Sequence, residues 1–271
     1  MGKFNIAVCQ IDITRDKSAN LKNAELLIRE ASEKAEMVIL PEMFNCPYNA
    51  KYFPEFGEVY PGETTELLGR LAKELNIYII GGSIPEIDGE GIYNTSYSFN
   101  PMGELIGKHR KVHLFDVDIK GGITFKESDT LSPGDAVTVI ETEYCKIGIG
   151  ICYDMRFPEL IRSMVLEGAE MIVIPAAFNL TTGPVHWHTT AKARAIDNQV
   201  YFVTASPARS EFLSYKAYGH SLIVNPWGDI IGEAEEGQGI VYGEVDLDYV
   251  QKVRNELPLL KHRRTEVYEK S

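Results

Sequence analysis

Lys146-Ile147-Gly148-Ile149-Gly150-Ile151, running straight into Cys152-Tyr153-Asp154-Met155-Arg156-Phe157-Pro158-Glu159-Leu160, is the stretch that decides the fold. Its first half is apolar and bounded, the pattern of a buried strand. Pro158 suits the first turn of a helix, where its missing N–H is no loss. A strand that turns sharply into a helix is a building unit of layered α/β proteins, and the turn lifts its residue, here Cys152, out of the sheet. The glycines at 148 and 150 read as positions that let other backbone come close. They are not a nucleotide loop, because the phosphate-binding spacing is absent.

The same alternation extends in both directions. Upstream, 4–11 and 37–40 read as strands. Between them a helix over 18–35, with Ser18 as its N-cap, carries Leu21, Ala24, Leu27, Ile28 and Ala31 at helical spacing. A helix over 64–75 and a strand over 77–84 follow, then a hairpin over 93–108 with Asn100-Pro101-Met102-Gly103 at its turn. Downstream, strands are expected at 137–140, 171–174, 200–205 and 239–245, helices at 158–166 and 188–198, and a hairpin at 221–231, with a short helix near Tyr249. Helices between strands indicate an α/β protein, and the hairpins make its sheets mixed. No linker divides the chain, so residues 1–255 read as one domain and 256–271 as a tail, bearing Lys261, His262, Arg263 and Arg264, that packs on the domain or on a second subunit.

Composition narrows the function. Of the 271 residues, 44% are hydrophobic and 24% charged, an ordinary globular balance. A net charge of −12 argues against nucleic-acid or anionic-membrane partners, both of which repel an acidic surface. No run approaches the ~20 apolar residues that span a bilayer. The N-terminus lacks a signal peptide's apolar core, so a cytoplasmic location is expected. The four cysteines at 9, 46, 145 and 152 form no Cys-x-x-Cys pair and read as reduced thiols.

Three apolar strands end alike. Val38-Ile39-Leu40-Pro41 leads to Glu42, the 146–151 strand to Cys152, and Ile172-Val173-Ile174-Pro175 to Ala176-Ala177-Phe178-Asn179. In layered α/β folds ligands gather outside the carboxyl ends of strands. Each residue also has a plain structural reading, Glu42 as a solvated loop acid and Cys152 as a core thiol. As a nucleophile, Cys152 would have its thiolate favoured by the following helix N-terminus and an oxyanion met by the Tyr153 backbone N–H. A thiol with pKa near ~8.5 needs a base, and a buried carboxylate such as Glu42 can serve. In Lys108-His109-Arg110-Lys111, three residues read as solvated. The run sits at the end of the strand 103–107, where it can turn inward; a buried lysine keeps its proton only beside carboxylates, and Lys111 between Glu42 and a second acid would qualify. His186 and His188 raise a zinc hydrolase as an alternative from another class, but alternate residues of a helix do not face one ion and no third ligand is evident.

Leu40-Pro41-Glu42-Met43-Phe44, His109-Arg110-Lys111-Val112-His113-Leu114 and Gly150-Ile151-Cys152-Tyr153-Asp154-Met155-Arg156-Phe157-Pro158-Glu159 resemble, in order, the Glu, Lys and Cys blocks of the nitrilase (carbon–nitrogen hydrolase) superfamily. Phe44-Asn45-Cys46-Pro47-Tyr48, Thr124-Phe125-Lys126-Glu127-Ser128, Ala177-Phe178-Asn179-Leu180-Thr181-Thr182-Gly183-Pro184 and Ala205-Ser206-Pro207-Ala208-Arg209 resemble its ω-amidase branch. The resemblance implies a four-layer αββα sandwich with mixed sheets, a homodimer and no cofactor or metal. It implies Glu42 as general base, Lys111 as oxyanion stabiliser, Cys152 as nucleophile and Glu127 as a second acid, with Arg156, Phe178 and Tyr48 contacting the substrate. On the residues alone, Glu127 could be a surface acid, Arg156 an ion-pair partner of Asp154 or Glu159, and Phe178 core. The implied substrate is the terminal amide of α-ketoglutaramate or α-ketosuccinamate, opened through a cysteine thioester. Within the same superfamily, the alternative substrates are deaminated glutathione and N-carbamoyl amines.

Overall fold

A computed structural model describes residues 2–268, and every structural statement below concerns these. Two sheets face one another. A seven-stranded sheet runs in the order Gly239–Asp246, Lys3–Gln10, Met37–Ile39, Tyr78–Ile80, Gly91–Phe99, Ile84–Asp88, with Leu105–Arg110 also pairing on Gly91–Phe99. A six-stranded sheet runs Ile230–Glu233, Leu222–Val224, Tyr201–Ala205, Met171–Pro175, Lys146–Ile149, Val139–Glu141. In each sheet three central strands are parallel and the flanking strands antiparallel. Asp116–Asp118 and Thr124–Lys126 form a separate two-stranded ribbon.

The layering follows from alternation along the strands. Ile6, Val8, Met37, Ile39, Ile147, Ile149, Met171 and Val173 point inward and form one cluster between the sheets. Their neighbours point outward. Ala7, Cys9, Val38 and Leu40 pack beneath the helices Lys17–Ser32 and Glu63–Leu75. Ile172, Ile174, Phe202 and Leu222 pack beneath Pro158–Leu166 and Gly183–Asn198. The result is an αββα sandwich. With both faces of the central strands covered, most of their positions bury an apolar side chain, worth about 1.5–3 kcal/mol for each large one. A one-residue slip would exchange the two cores, which fixes the register.

Several boundaries differ from the sequence reading, each for a local reason. The first helix is capped by Asp16, whose carboxylate accepts from the Ala19 N–H at 3.0 Å, so Ser18 lies inside the helix. The strand expected over 77–84 breaks at Gly82, which has φ +55; a Cβ there would lie 2.1 Å from the Pro41 carbonyl. Ile84–Asp88 then pairs with Gly91–Phe99 as a hairpin not separated in the sequence. The helix expected over 188–198 begins a turn earlier, at Gly183, with Pro184 in its first turn. Gly148 and Gly150 make room for side chains, not backbone. A Cβ on Gly148 would meet Ile172 Cδ1 at 2.5 Å and Met164 Cβ at 2.9 Å, and one on Gly150 would meet Ile174 Cδ1 at 2.9 Å.

Beyond the helix Leu247–Glu256, the Leu257 carbonyl accepts from Gln199 Nε2 at 2.5 Å, and Leu260 rests against the core under the second helix pair. The last three residues of the expected 256–271 tail lie outside the described residues.

Candidate active site

The carboxyl ends of the central strands from both sheets meet at one rim. Glu42 follows Met37–Ile39 of the first sheet, and Cys152 follows Lys146–Ile149 of the second. Both turns require a left-handed residue that is not glycine: Met43 at φ 51 and Cys152 at φ 48. Such conformations cost about 1–3 kcal/mol and persist only where the surroundings impose them. Here they aim one side chain from each sheet at the other.

Glu42 is fully buried, and both its oxygens accept hydrogen bonds. Oε2 accepts from the Ala177 N–H at 2.7 Å; Oε1 accepts from Asn94 Nδ2 at 2.8 Å and Lys111 Nζ at 3.1 Å. Lys111, also fully buried, leaves the strand Leu105–Arg110 with its N–H donated to the Asn94 carbonyl, and its ammonium reaches Glu127 Oε1 at 2.9 Å. Glu127 opens a 3-10 turn and is fully buried, accepting from Tyr48 OH at 2.5 Å and from the Phe115 N–H at 2.6 Å. It is therefore no surface acid.

Burial is the largest influence on Glu42, Lys111 and Cys152. It raises the Glu42 pKa, and Lys111 only partly offsets it. Burial also opposes the charge of Lys111, but Glu127 and Glu42 outweigh it and hold the ammonium well above the ordinary lysine value. The Cys152 thiol is pushed well above its usual pKa by burial first and by Glu42 next, with Lys111 acting the other way. At rest the thiol keeps its proton. Desolvation at a nearly buried sulfur works against the thiolate that the helix N-terminus was expected to favour. The cluster thus holds a protonated thiol, a basic carboxylate interacting with it and an ammonium. That arrangement can move a proton from sulfur to carboxylate while the ammonium meets negative charge nearby.

The turn carrying Cys152 is clamped by Asp154. Fully buried, Asp154 accepts from the N–H groups of Ile151 at 2.9 Å, His113 at 2.9 Å and Val112 at 3.4 Å, and faces His113 Nδ1 at 2.8 Å and His109 Nε2 at 3.3 Å. One carboxylate thereby ties the nucleophile turn to the segment that follows Lys111. Burial works against its charge, yet these donors hold its pKa well below the usual carboxylate range. Tyr153 is the second residue of the 3-10 turn Cys152–Arg156, where early N–H groups have no partner within the helix.

Arg156 makes no ion pair with Asp154 or Glu159. Its guanidinium lies 4.6 Å from the Phe178 ring centroid and 5.9 Å from that of Tyr153, and it donates to His186 Nδ1 at 3.1 Å. Phe178 is edge-on to buried Trp187 at 5.0 Å. Tyr48 does not join this group; its hydroxyl is in the Glu127–Lys111 network, and its ring packs on Phe125 and Tyr215. Beside Glu42, a cavity of about 20 Å³ bordered by Tyr48, Ala177 and Tyr215 has room for one water.

Other expectations need correcting. In the Lys108–Lys111 run, His109 is buried, and Lys108 and Arg110 both pair with the buried carboxylate of Glu86, Arg110 at 2.8 Å. His186 and His188 diverge as expected, one to Arg156 and the other to Glu233. The sequence reading missed Asn94, Asp154, and Tyr215, whose hydroxyl donates to the Ala177 carbonyl at 2.5 Å. Asp154 sat within the Cys152 block and could have been singled out; Asn94 and Tyr215 had no local signal.

Comparison with known proteins agrees with this geometry. The family model for carbon–nitrogen hydrolases matches residues 5–255. The chain is 52% identical to an ω-amidase NIT2 of Xenopus tropicalis and 50% identical to that of Homo sapiens, in each case over 99% of this chain and 98% of the relative. It superposes on the crystal structure of Saccharomyces cerevisiae Nit3, a member of branch 10 of the nitrilase superfamily, with TM-score 0.90 and 46% identity over 97% of both chains. With a cysteine, two glutamates and a lysine at the rim of an αββα sandwich, the chain belongs to the carbon–nitrogen hydrolase family.

Proposed function

We propose that this enzyme is an ω-amidase, which hydrolyses the terminal amide of α-ketoglutaramate or α-ketosuccinamate to the acid and ammonia. The observation that carries the substrate class is Arg156: a half-buried guanidinium, beside the nucleophile turn, with aromatic faces around it and no carboxylate partner. A cation left unpaired at a site's edge is suited to an anionic end of the substrate, which it can grip bidentately. Phe178 sets its ring against that guanidinium.

In the chemical step Glu42 takes the thiol proton as sulfur attacks the amide carbonyl. The oxygen's charge develops toward Lys111 Nζ and the Tyr153 N–H. Collapse breaks the C–N bond, Glu42 returns its proton to the departing ammonia, and a thioester remains on Cys152. Water beside Glu42, deprotonated by it, adds to the thioester. The sulfur then leaves and regains a proton. Glu127 and Tyr48 hold Lys111 in place throughout. The thiol's raised pKa requires this concerted base assistance, since no thiolate waits at rest.

The enzyme acts as a homodimer, in keeping with exposed Val185 and Ile196 on the helix Gly183–Asn198, and works in the cytoplasm, in keeping with its four unpaired thiols. Ammonia release from α-ketoglutaramate, glutamine, deaminated glutathione, N-carbamoyl-β-alanine and a simple nitrile tests the substrate assignment, with acid-quenched samples weighed for an acyl group on Cys152. α-Ketoglutaramate should be fastest and leave the adduct. Faster turnover of deaminated glutathione, or full turnover by Cys152→Ala, would sink the reading.

A further inference from the structure

His188 diverges from His186 but does not stand alone. Its Nε2 lies 2.7 Å from Glu233 Oε1, and His220 Nδ1 approaches the same oxygen at 3.3 Å. The donor atoms of all three residues lie within 4.8 Å of one another. We propose that His188, His220 and Glu233 form a divalent-metal site of the zinc class, separate from the catalytic rim, that clasps the outer helix to the edge of the six-stranded sheet.

The donor set and its spacing favour this cation. Two imidazoles and one carboxylate suit zinc or cobalt, whereas magnesium and calcium call for oxygen ligands throughout. Tetrahedral zinc with bonds near 2.0–2.2 Å places its donors about 3.4 Å apart. The His220–Glu233 edge already has that length, and the His188–Glu233 edge opens by roughly 0.7 Å as the metal replaces the proton between them. Each ligand comes from a different element: His188 from the helix Gly183–Asn198, His220 from the loop before Leu222–Val224, and Glu233 from the end of Ile230–Glu233. All three side chains retain some exposure, so an ion reaches them from solvent and water completes the coordination.

His220 is the most specifically placed of the three. It sits at φ 57, a conformation uncommon for histidine, and both its backbone groups are fixed: its N–H donates to the Glu235 carbonyl at 3.1 Å, and its carbonyl accepts from Trp187 Nε1 at 2.6 Å. Tyr218 packs on the His220 ring at 4.4 Å. Backbone and ring are therefore held before any ion arrives, which lowers the entropic cost of binding. Trp187 also packs on Phe178, so the clasp braces one wall of the catalytic rim without contributing to the reaction.

The test uses the full chain carrying Cys152→Ala, so that the catalytic thiol cannot take the metal. Dialysed protein titrated with cobalt(II) chloride should bind one equivalent, showing visible d–d bands without a thiolate charge-transfer band, and zinc chloride should displace it and raise Tm. Glu233→Gln and His220→Asn should each weaken binding at least about tenfold while keeping the metal-free Tm, asparagine being chosen because it tolerates positive φ. Absence of stoichiometric binding, or binding unaltered in both variants, overturns the proposal. In the wild-type background Glu233→Gln should retain amidase turnover. Loss of turnover reproduced by a chelator on the parent enzyme would overturn the assignment of the site as a clasp.

Discussion

Two cations near Cys152 are treated in opposite ways. Lys111 is fully buried between two carboxylates, with a more distant tyrosine hydroxyl at 3.4 Å that a developing oxyanion can replace. Arg156, from the turn that carries the nucleophile, has aromatic rings and a histidine nitrogen but no acid. The difference separates two duties. A cation that must stay fixed and charged through a reaction needs its counter-charges built in. One that receives an anionic ligand must have them withheld, because an internal acid would compete with the ligand.

Lys111→Met puts the greatest strain on this contrast. It removes an oxyanion donor, so turnover should fall by about 10²–10³. It also leaves Glu42 and Glu127 facing one another without a counter-charge, which should cost about 3–5 kcal/mol at neutral pH. The carboxylates would then hold protons more tightly in the folded state than in the unfolded chain. The variant should therefore regain stability relative to wild type as pH falls toward the ordinary carboxylate range and lose it as pH rises. Urea melts at several pH values check this, and a pH-independent deficit would contradict the pairing.

Arg156→Met keeps the apolar stem and deletes only the charged head. A lost charged hydrogen-bond pair is worth about 1.5–3 kcal/mol, so kcat/KM for α-ketoglutaramate should drop roughly ten- to hundredfold while a neutral amide is barely affected. Equal losses on both would return Arg156 to a structural role.

The smallest effect comes from the inverse arrangement, in which one acid holds two cations. Glu86 is pulled down to about 2 by Arg110 and Lys108 against the opposing effect of its burial. Its contribution to stability is present above the unfolded carboxylate value and is lost as pH falls toward about 2. Lys108→Met should leave turnover intact, reduce stability by about 1 kcal/mol or less at neutral pH, and move acid unfolding to higher pH. An unchanged acid midpoint would mean that Arg110 alone holds Glu86.

How much of this was legible beforehand depends on the distance over which each signal acts. Strand alternation and strand tips are local, so a layered α/β fold and the positions of Glu42, Cys152 and Phe178 could be read along the chain, while the four-layer sandwich came from the family resemblance. Lys111 was recoverable because its basic run follows a strand, where it can turn inward, and a buried lysine must have acids beside it. Asp154 binds groups about 40 residues upstream, and Asn94 reaches across 52 residues to Glu42. Such pairings impose no periodicity. Glu86 was invisible for the same reason, which is why its two basic partners looked solvated. That burial would raise the thiol's pKa further could not be read, since the assembled rim alone creates that burial.

The rim has one more consequence. Because its acid is delivered by one sheet and its sulfur by the other, neither half can be catalytic by itself. Any slackening between the two layers separates base from nucleophile before either layer melts. Heat or denaturant should therefore extinguish turnover ahead of the loss of helical circular dichroism, making activity a sensitive gauge of how tightly the two leaves of the sandwich are pressed together.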